Sequence, residues 1–181
     1  MDQDGPPLLG SRRLARTGFL TVERCYRLTG GATWTRRDVV RHPGAAAAVP
    51  WDGERVHLIR QFRAPPGRDL VEIPAGKLDV PNEDPAATAA RECGEEIGLL
   101  PRRVTLLHRC YLSPGFSDEI CSIYLAEDLE RVAAAPQGAE EQAAGVVTLN
   151  LARVREAFAA GTLADAKTII GLSALLLRSA P

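Results

Sequence analysis

The chain has 181 residues, of which 45% are hydrophobic and 25% charged, and its formal net charge is −1. That is one ordinary domain's worth of chain with enough apolar content for a core, which excludes a disordered segment, and it predicts no nucleic-acid or membrane partner from bulk charge. Cys25, Cys93, Cys110 and Cys121 form no CxxC pair and read as reduced, mostly buried thiols of a cytoplasmic protein.

Residues 1–12 carry early acids and prolines, hold no apolar run of signal-peptide length, and read as a loose tail. "RTGFLTVERCYRLT" (16–29) alternates apolar and polar positions as a strand does, and Gly30-Gly31 turns it. "TWTRRDVVRH" (33–42) reads as a second strand, ended by Pro43-Gly44. Residues 1–42 therefore form an N-terminal region of tail and strands, and 43–181 a second part. "AAAAVPW" (45–51) has the alanine content of a helix, but Pro50 and the turn "WDGE" favour a buried strand in a hairpin with "RVHLIRQFR" (55–63). "LVEIPAG" is a short strand; "RRVTLLHRCYLS" and "EICSIYLAEDL" are two more, joined by "PGFSD". "AAPQGAEEQAAG" is an acidic loop, "VVTLNL" a short strand, and "ARVREAFAAGTL" and "DAKTIIGLSALLLRS" are closing helices. Strands around one central helix, with helices at the end, predict an α+β fold with a mixed-sheet sandwich.

The central helix follows from its ends. Asp84-Pro85 is a start signal and Gly98 a stop signal, which predicts a helix over about 85–97. Ala86, Ala90, Cys93 and Ile97 fall on one stripe, the expected core face. Glu92, Glu95 and Glu96 cluster on nearly the opposite side, with Arg91 four residues before Glu95. Like charges at i, i+4 cost about 0.2–0.5 kcal/mol, no lysine lies on the helix, and Gly94 costs about 1 kcal/mol relative to alanine. A helix selected for stability alone would not carry this pattern. A divalent cation would turn the repulsion into coordination, and carboxylate oxygens suit Mg²⁺ or Mn²⁺.

"GKLDVPNEDPAATAARECGEEIGL" (76–99) resembles the Nudix box: a glycine, five residues, Glu, seven residues, Arg-Glu, an aliphatic residue, any residue, Glu-Glu, any residue, a glycine and an aliphatic residue. Two departures stand out. Six residues, not five, separate Gly76 from Glu83, in a loop where insertion is cheap, and Cys93 stands where an aliphatic residue is usual. The resemblance implies an α/β/α sandwich with a mixed sheet, preceded by an N-terminal antiparallel strand region. It implies that Glu92 and Glu96 bind the metals with Glu95 assisting, that the Ala75 carbonyl is a further ligand, and that Arg91 orients the glutamates by a salt bridge to Glu95 or Glu83.

Three further segments, "RQFR" followed by "LVEIPAGKLD", "YLSPGFSDEICSIYLA" and "DAKTIIGLSALL", resemble the ADP-ribose pyrophosphatase branch of that family, over about residues 20–175. The branch implies hydrolysis of a nucleoside diphosphate, ADP-ribose, to AMP and ribose 5-phosphate. It also implies a homodimer whose strands at about 16–42 cross to the partner. Arg60 and Arg63 would offer forked donors to phosphate oxygens, Glu72 would accept from a ribose hydroxyl or an adenine amino group, Glu119 would meet the terminal ribose, and Phe116 would line the base pocket. The general base would be Glu140 or Glu141 in the acidic loop, Glu140 being favoured. The rival readings are another nucleoside diphosphate sugar as substrate, and a sensor that binds such ligands without cutting them.

Overall fold

The computed structural model describes residues 8–29, 33–136 and 142–179. Contacts divide them into two units: one holds the chain up to Gly44 together with Tyr111–Ile120, the other holds Ala45–Cys110 and the chain from Cys121 onward.

In the first unit β1 (Leu8–Thr17), β2 (Leu20–Thr29) and β3 (Thr33–Arg41) form an antiparallel sheet in that order. Residues 8–12 are strand rather than tail. Their register against β2 shifts between Leu8 and Gly10 and again between Arg13 and Ala15, which breaks the period-two pattern that would have announced them. Arg24 and Asp38 stand opposite each other on β2 and β3 and form two bonds, at 2.7 and 2.8 Å. The segment after Tyr111 is tied to β3: the Val40 N–H donates to the Phe116 carbonyl at 2.8 Å, and Asp118 accepts from Arg41 at 3.0 Å and from the His42 N–H at 2.9 Å.

The second unit contains β4 (Ala45–Pro50), β5 (Arg55–Arg63), β6 (Arg68–Glu72), β7 (Ala75–Lys77), β8 (Leu99–Tyr111), β9 (Ile120–Arg131) and β10 (Gly145–Asn150). One sheet has the order β7-β4-β9-β8 and is mixed, since β4 runs parallel to β9 and antiparallel to β7. The other has the order β10-β5-β6 and is antiparallel. The expected β4–β5 hairpin is reduced to one bridge, Trp51 to Val56. Both edges of β4 are taken by β7 and β9, and Asp52 turns the chain away by accepting from the N–H groups of Glu54 and Arg55 at 2.9 and 2.6 Å. "LVEIPAG" is likewise two strands: Pro74 has no N–H for a ladder, so the chain leaves one sheet at Glu72 and enters the other at Ala75.

Among the described residues three helices complete the unit: α1 (Pro85–Ile97), α2 (Leu151–Ala159) and α3 (Ala166–Arg178). Every residue of β4 is buried because helices cover both its faces. Ala46 and Ala48 pack with Ala89 and Cys93 of α1, while Val49, on the opposite face, meets Gly171 of α3. The alanines that mimic a helix in the sequence are thus what lets two helices close on one strand. No helix of the described residues is long and apolar enough to cross a membrane.

Candidate active site

The ends of α1 lie where the sequence puts them. Asp84 caps it by accepting from the Ala86 N–H at 2.9 Å, Pro85 opens it, and Gly98 closes it with a φ of 67° that favours glycine. Its faces differ from expectation. Thr88, Ala89, Glu92, Cys93, Gly94 and Ile97 are buried, whereas Ala86 and Ala90 are only half-buried. The small side chains of β4 admit the helix deeply, and residues 132–135 cross its other flank, where the Ala135 N–H donates to the Glu95 carbonyl at 3.0 Å. Glu92, expected opposite the core, is buried, its carboxylate lying against Gly76 of β7.

Arg91 does more than orient one neighbour. Its guanidinium lies 2.9 Å from carboxylate oxygens of both Glu92 and Glu95, and 3.3 Å from both oxygens of Glu83. The expectation of Glu95 or Glu83 becomes both, with Glu92 added, so a cation of the chain itself offsets much of the repulsion. Bonding to Glu83, and the nearby Glu92 and Glu95, raise the Arg91 pKa; Arg91 and the Thr88 hydroxyl, which donates at 2.7 Å, lower that of Glu83. The extra residue before Glu83 is absorbed at Asn82, whose φ of 63° is one that Asn tolerates in a tight turn.

Glu92 and one further glutamate, Glu96, meet the main chain of β7. A Cβ placed on Gly76 would come 1.8 Å from Glu92 Oε1, so only glycine leaves room for that carboxylate. The Ala75 N–H donates to Glu96 Oε2 at 3.2 Å. Glu92 and Glu96 of α1 thus converge on the Ala75–Gly76 main chain, which lies 21 positions before Glu96 at Ala75. Behind them the Cys93 thiol is fully buried, and that burial, with Glu96 and Glu92 nearby, pushes its pKa up; it is an inert wall rather than a nucleophile.

The remaining candidates are placed variously. Glu72 is only 1% exposed, and both its oxygens are engaged: Arg63 donates to them at 2.7 and 2.8 Å, and Lys167 donates to Oε2. Burial alone would raise the Glu72 pKa, but Arg63 and Lys167 outweigh it and hold the carboxyl below its usual range. Glu72 and Arg63 are therefore paired with each other in this structure, while the Arg63 side chain stays 34% exposed. Arg60 is exposed and lines a pocket with Arg68 and Asp69. It faces away from buried Gln61, as strand alternation requires. Phe116, 59% exposed, and Glu119 belong to the first unit. Glu140 and Glu141 lie outside the described residues.

A model of the NUDIX domain matches residues 40–167. The chain is 36% identical to the ADP-ribose pyrophosphatase of Bacillus subtilis (strain 168) over 147 residues, covering 81% of this chain and 79% of that protein. The chain belongs to the Nudix family. It is also 36% identical to the methanol dehydrogenase activator of Bacillus methanolicus over 154 residues, 84% of this chain and 82% of the relative. A crystal structure of an ADP compounds hydrolase superposes with a TM-score of 0.83 over 98% of this chain and 96% of that one; at 21% identity the likeness concerns the fold alone.

Nudix hydrolases generally require a divalent metal, and the donors here fit one. Among the described residues no three His, Cys, Asp or Glu side chains stand close enough to enclose an ion. What the site offers is two carboxylates at the main chain of β7, Glu96 on the Ala75 N–H and Glu92 against Gly76, the partial donor set that suits Mg²⁺ better than an all-protein cage. Sequence reasoning missed Asp165, Lys167 and Thr168 as neighbours of Glu72. Lys167 is one of only two lysines in the chain, and that scarcity at a helix start is the one signal the sequence held; its burial, 8% exposed, comes from the fold.

Proposed function

We propose that this chain hydrolyses the diphosphate of ADP-ribose, giving AMP and ribose 5-phosphate, with Mg²⁺ as its cofactor and Mn²⁺ as a working substitute. The observation that carries this is the meeting of Glu92 and Glu96 with the Ala75–Gly76 main chain beside an arginine-held glutamate cluster. The Bacillus subtilis relative of that name supports the choice of substrate.

Glu92, Glu96 and the Ala75 carbonyl would hold the metal, which when bound neutralises the diphosphate and polarises its phosphorus. Arg91 holds Glu92 and Glu95 in place, and Glu95 assists. Glu140 or Glu141 takes a proton from water as the water oxygen bonds to one phosphorus and the bridging P–O bond breaks; the bridging oxygen leaves with the other phosphate. Arg60 is assigned to phosphate oxygens, Phe116 to the base and Glu119 to the terminal ribose. We also assign the exposed apolar side chains of the N-terminal sheet, Leu9, Leu14, Phe19, Tyr26 and Trp34 (61% exposed), to a homodimer contact, and the protein to the cytoplasm.

The test is AMP release from ADP-ribose with and without Mg²⁺, for the native chain and for Glu96→Gln, beside a panel of nucleoside diphosphate sugars. Metal-dependent AMP release that the substitution abolishes supports the reading. Activity that survives EDTA removes the metal, and faster cleavage of another sugar nucleotide changes the substrate.

A further inference from the structure

The first turn of α3 holds the stretch of chain that carries the metal-site main chain. Asp165 caps the helix: its Oδ2 accepts from the Thr168 N–H at 2.9 Å and from the Thr168 hydroxyl at 2.5 Å. With its own proton given to Asp165, Thr168 Oγ1 is left to accept, and the Ile73 N–H donates to it at 2.8 Å. This is a bond between residues 95 positions apart, and Thr168 is wholly buried. One residue earlier, Lys167 Nζ donates to Glu72 and, at 2.9 Å, to Asp165 Oδ1. Glu72 and Ile73 are thus both tied to α3.

Those ties lead directly to the site. Next along is Pro74, whose ring fixes φ and whose carbonyl accepts from the Ala48 N–H at 2.9 Å. Then comes Ala75, bonded to Glu96, and Gly76, pressed against Glu92. Four residues with a proline among them leave little slack. A shift at Ile73 is passed to Ala75. The helix that does the holding cannot easily slide either, for a Cβ on Gly171 would come 2.7 Å from Val49 and 3.3 Å from Ile123 and Ile73.

Resting on the metal site assigned above, we propose that Thr168, oriented by Asp165, is a positioning residue for cation binding: its hydroxyl fixes the Ile73 amide and so sets the Ala75 carbonyl at the distance that Glu92 and Glu96 require. It touches neither metal nor substrate. Lys167 on Glu72 is the second, parallel tie. Metal sites tolerate little slack in what supports their ligands, and loss of such support weakens affinity about 10–100-fold.

The experiment compares native protein, Thr168→Val, Thr168→Ser and Glu96→Gln. Mn²⁺ binding without substrate is followed by the electron paramagnetic resonance of the free ion, and Tm and the Mg²⁺ dependence of AMP release are measured in parallel. Thr168→Val keeps the shape and loses the hydroxyl; it is expected to weaken Mn²⁺ binding about tenfold or more and to raise the half-saturating Mg²⁺ by the same factor. Its KM for ADP-ribose at saturating metal stays near the native value, and Thr168→Ser restores metal binding. Lys167→Met, which cuts the other tie, gives the same reading where Thr168→Val does not fold. The proposal is overturned by a Thr168→Val protein that loses Tm but binds Mn²⁺ as the native one does, or by Thr168→Ser falling as far as Thr168→Val. If the native chain and Glu96→Gln bind Mn²⁺ equally, the metal site itself is wrong and takes the proposal with it.

Discussion

Two clusters of carboxylates lie in the second unit, and their charges are matched differently. Around Arg63, two acids, Glu72 and Asp165, meet two cations, Arg63 and Lys167. Around Arg91, three acids, Glu83, Glu92 and Glu95, meet one guanidinium, and Glu96 stands one turn beyond Glu92. The first cluster is matched charge for charge around a buried Glu72 and Lys167, as buried ions must be to avoid a desolvation penalty they cannot recover. The second carries surplus negative charge along a half-buried helix face, a surplus that a divalent cation and a diphosphate would meet. Identical chemistry serves architecture where it is balanced and binding where it is not.

The sharpest way to break this comparison is to neutralise one member of each cluster. Glu96→Gln is expected to lower kcat for ADP-ribose roughly 10³-fold, the equivalent of about 4 kcal/mol of transition-state stabilisation. Its Tm should hold or rise, because a like charge next to Glu92 is gone. Glu72→Gln should act first on stability, beside the weaker Mn²⁺ binding expected from loosening the Lys167 tie. Removing one partner from a buried ion network costs about 3–5 kcal/mol, seen as a fall in Tm and in the denaturant midpoint. If Glu96→Gln unfolds the protein while Glu72→Gln leaves Tm untouched, the assignment of roles is inverted.

The acid limb of stability sharpens the same contrast. The folded-state pKa of Glu72 lies below its ordinary value of 4.5, so the carboxylate's contribution to stability is present above pH 4.5 and is lost as pH falls through the lower folded value. The Tm gap between native protein and Glu72→Gln should therefore be widest near neutrality and close progressively below pH 4.5. A gap that stays constant down to pH 3 would mean that Glu72 is not held ionised by Arg63 and Lys167.

What could be read in advance follows the range of the interactions. The bounds of α1 were legible because Asp84, Pro85 and Gly98 act on adjacent backbone. The strand identity of 45–50 was legible because Pro50 and the Asp52 turn are local. Pairing was not: nothing near β4 says that β7 and β9 occupy its edges and displace β5. At the site, the box glutamates could be named from spacing, but not the burial of Glu92, which lies against Gly76 of β7. Glu72 reads as a surface acid until Lys167 and Asp165, more than 90 residues on, are folded against it.

Gly94 is the residue whose expected cost is left after those corrections, and it gives the smallest effect. It sits within α1, where glycine is about 1 kcal/mol less favourable than alanine. It is buried, so the cost would be justified if a methyl group did not fit. Yet a Cβ there would meet only Leu100 Cδ1 and Val132 Cγ2, both at 3.7 Å, which is ordinary van der Waals contact. No carboxylate of the Arg91 cluster lies in that direction, unlike at Gly76, where an added methyl would strike Glu92. Gly94→Ala should therefore raise stability by up to about 1 kcal/mol, a Tm gain of about 2–4 °C for a chain of this size, with AMP release and half-saturating Mg²⁺ unchanged. Gly76→Ala, measured beside it, should lose the metal-dependent release of AMP at little change in Tm. A loss of activity in Gly94→Ala as well would extend the functional face of α1 around to the flank that now reads as packing.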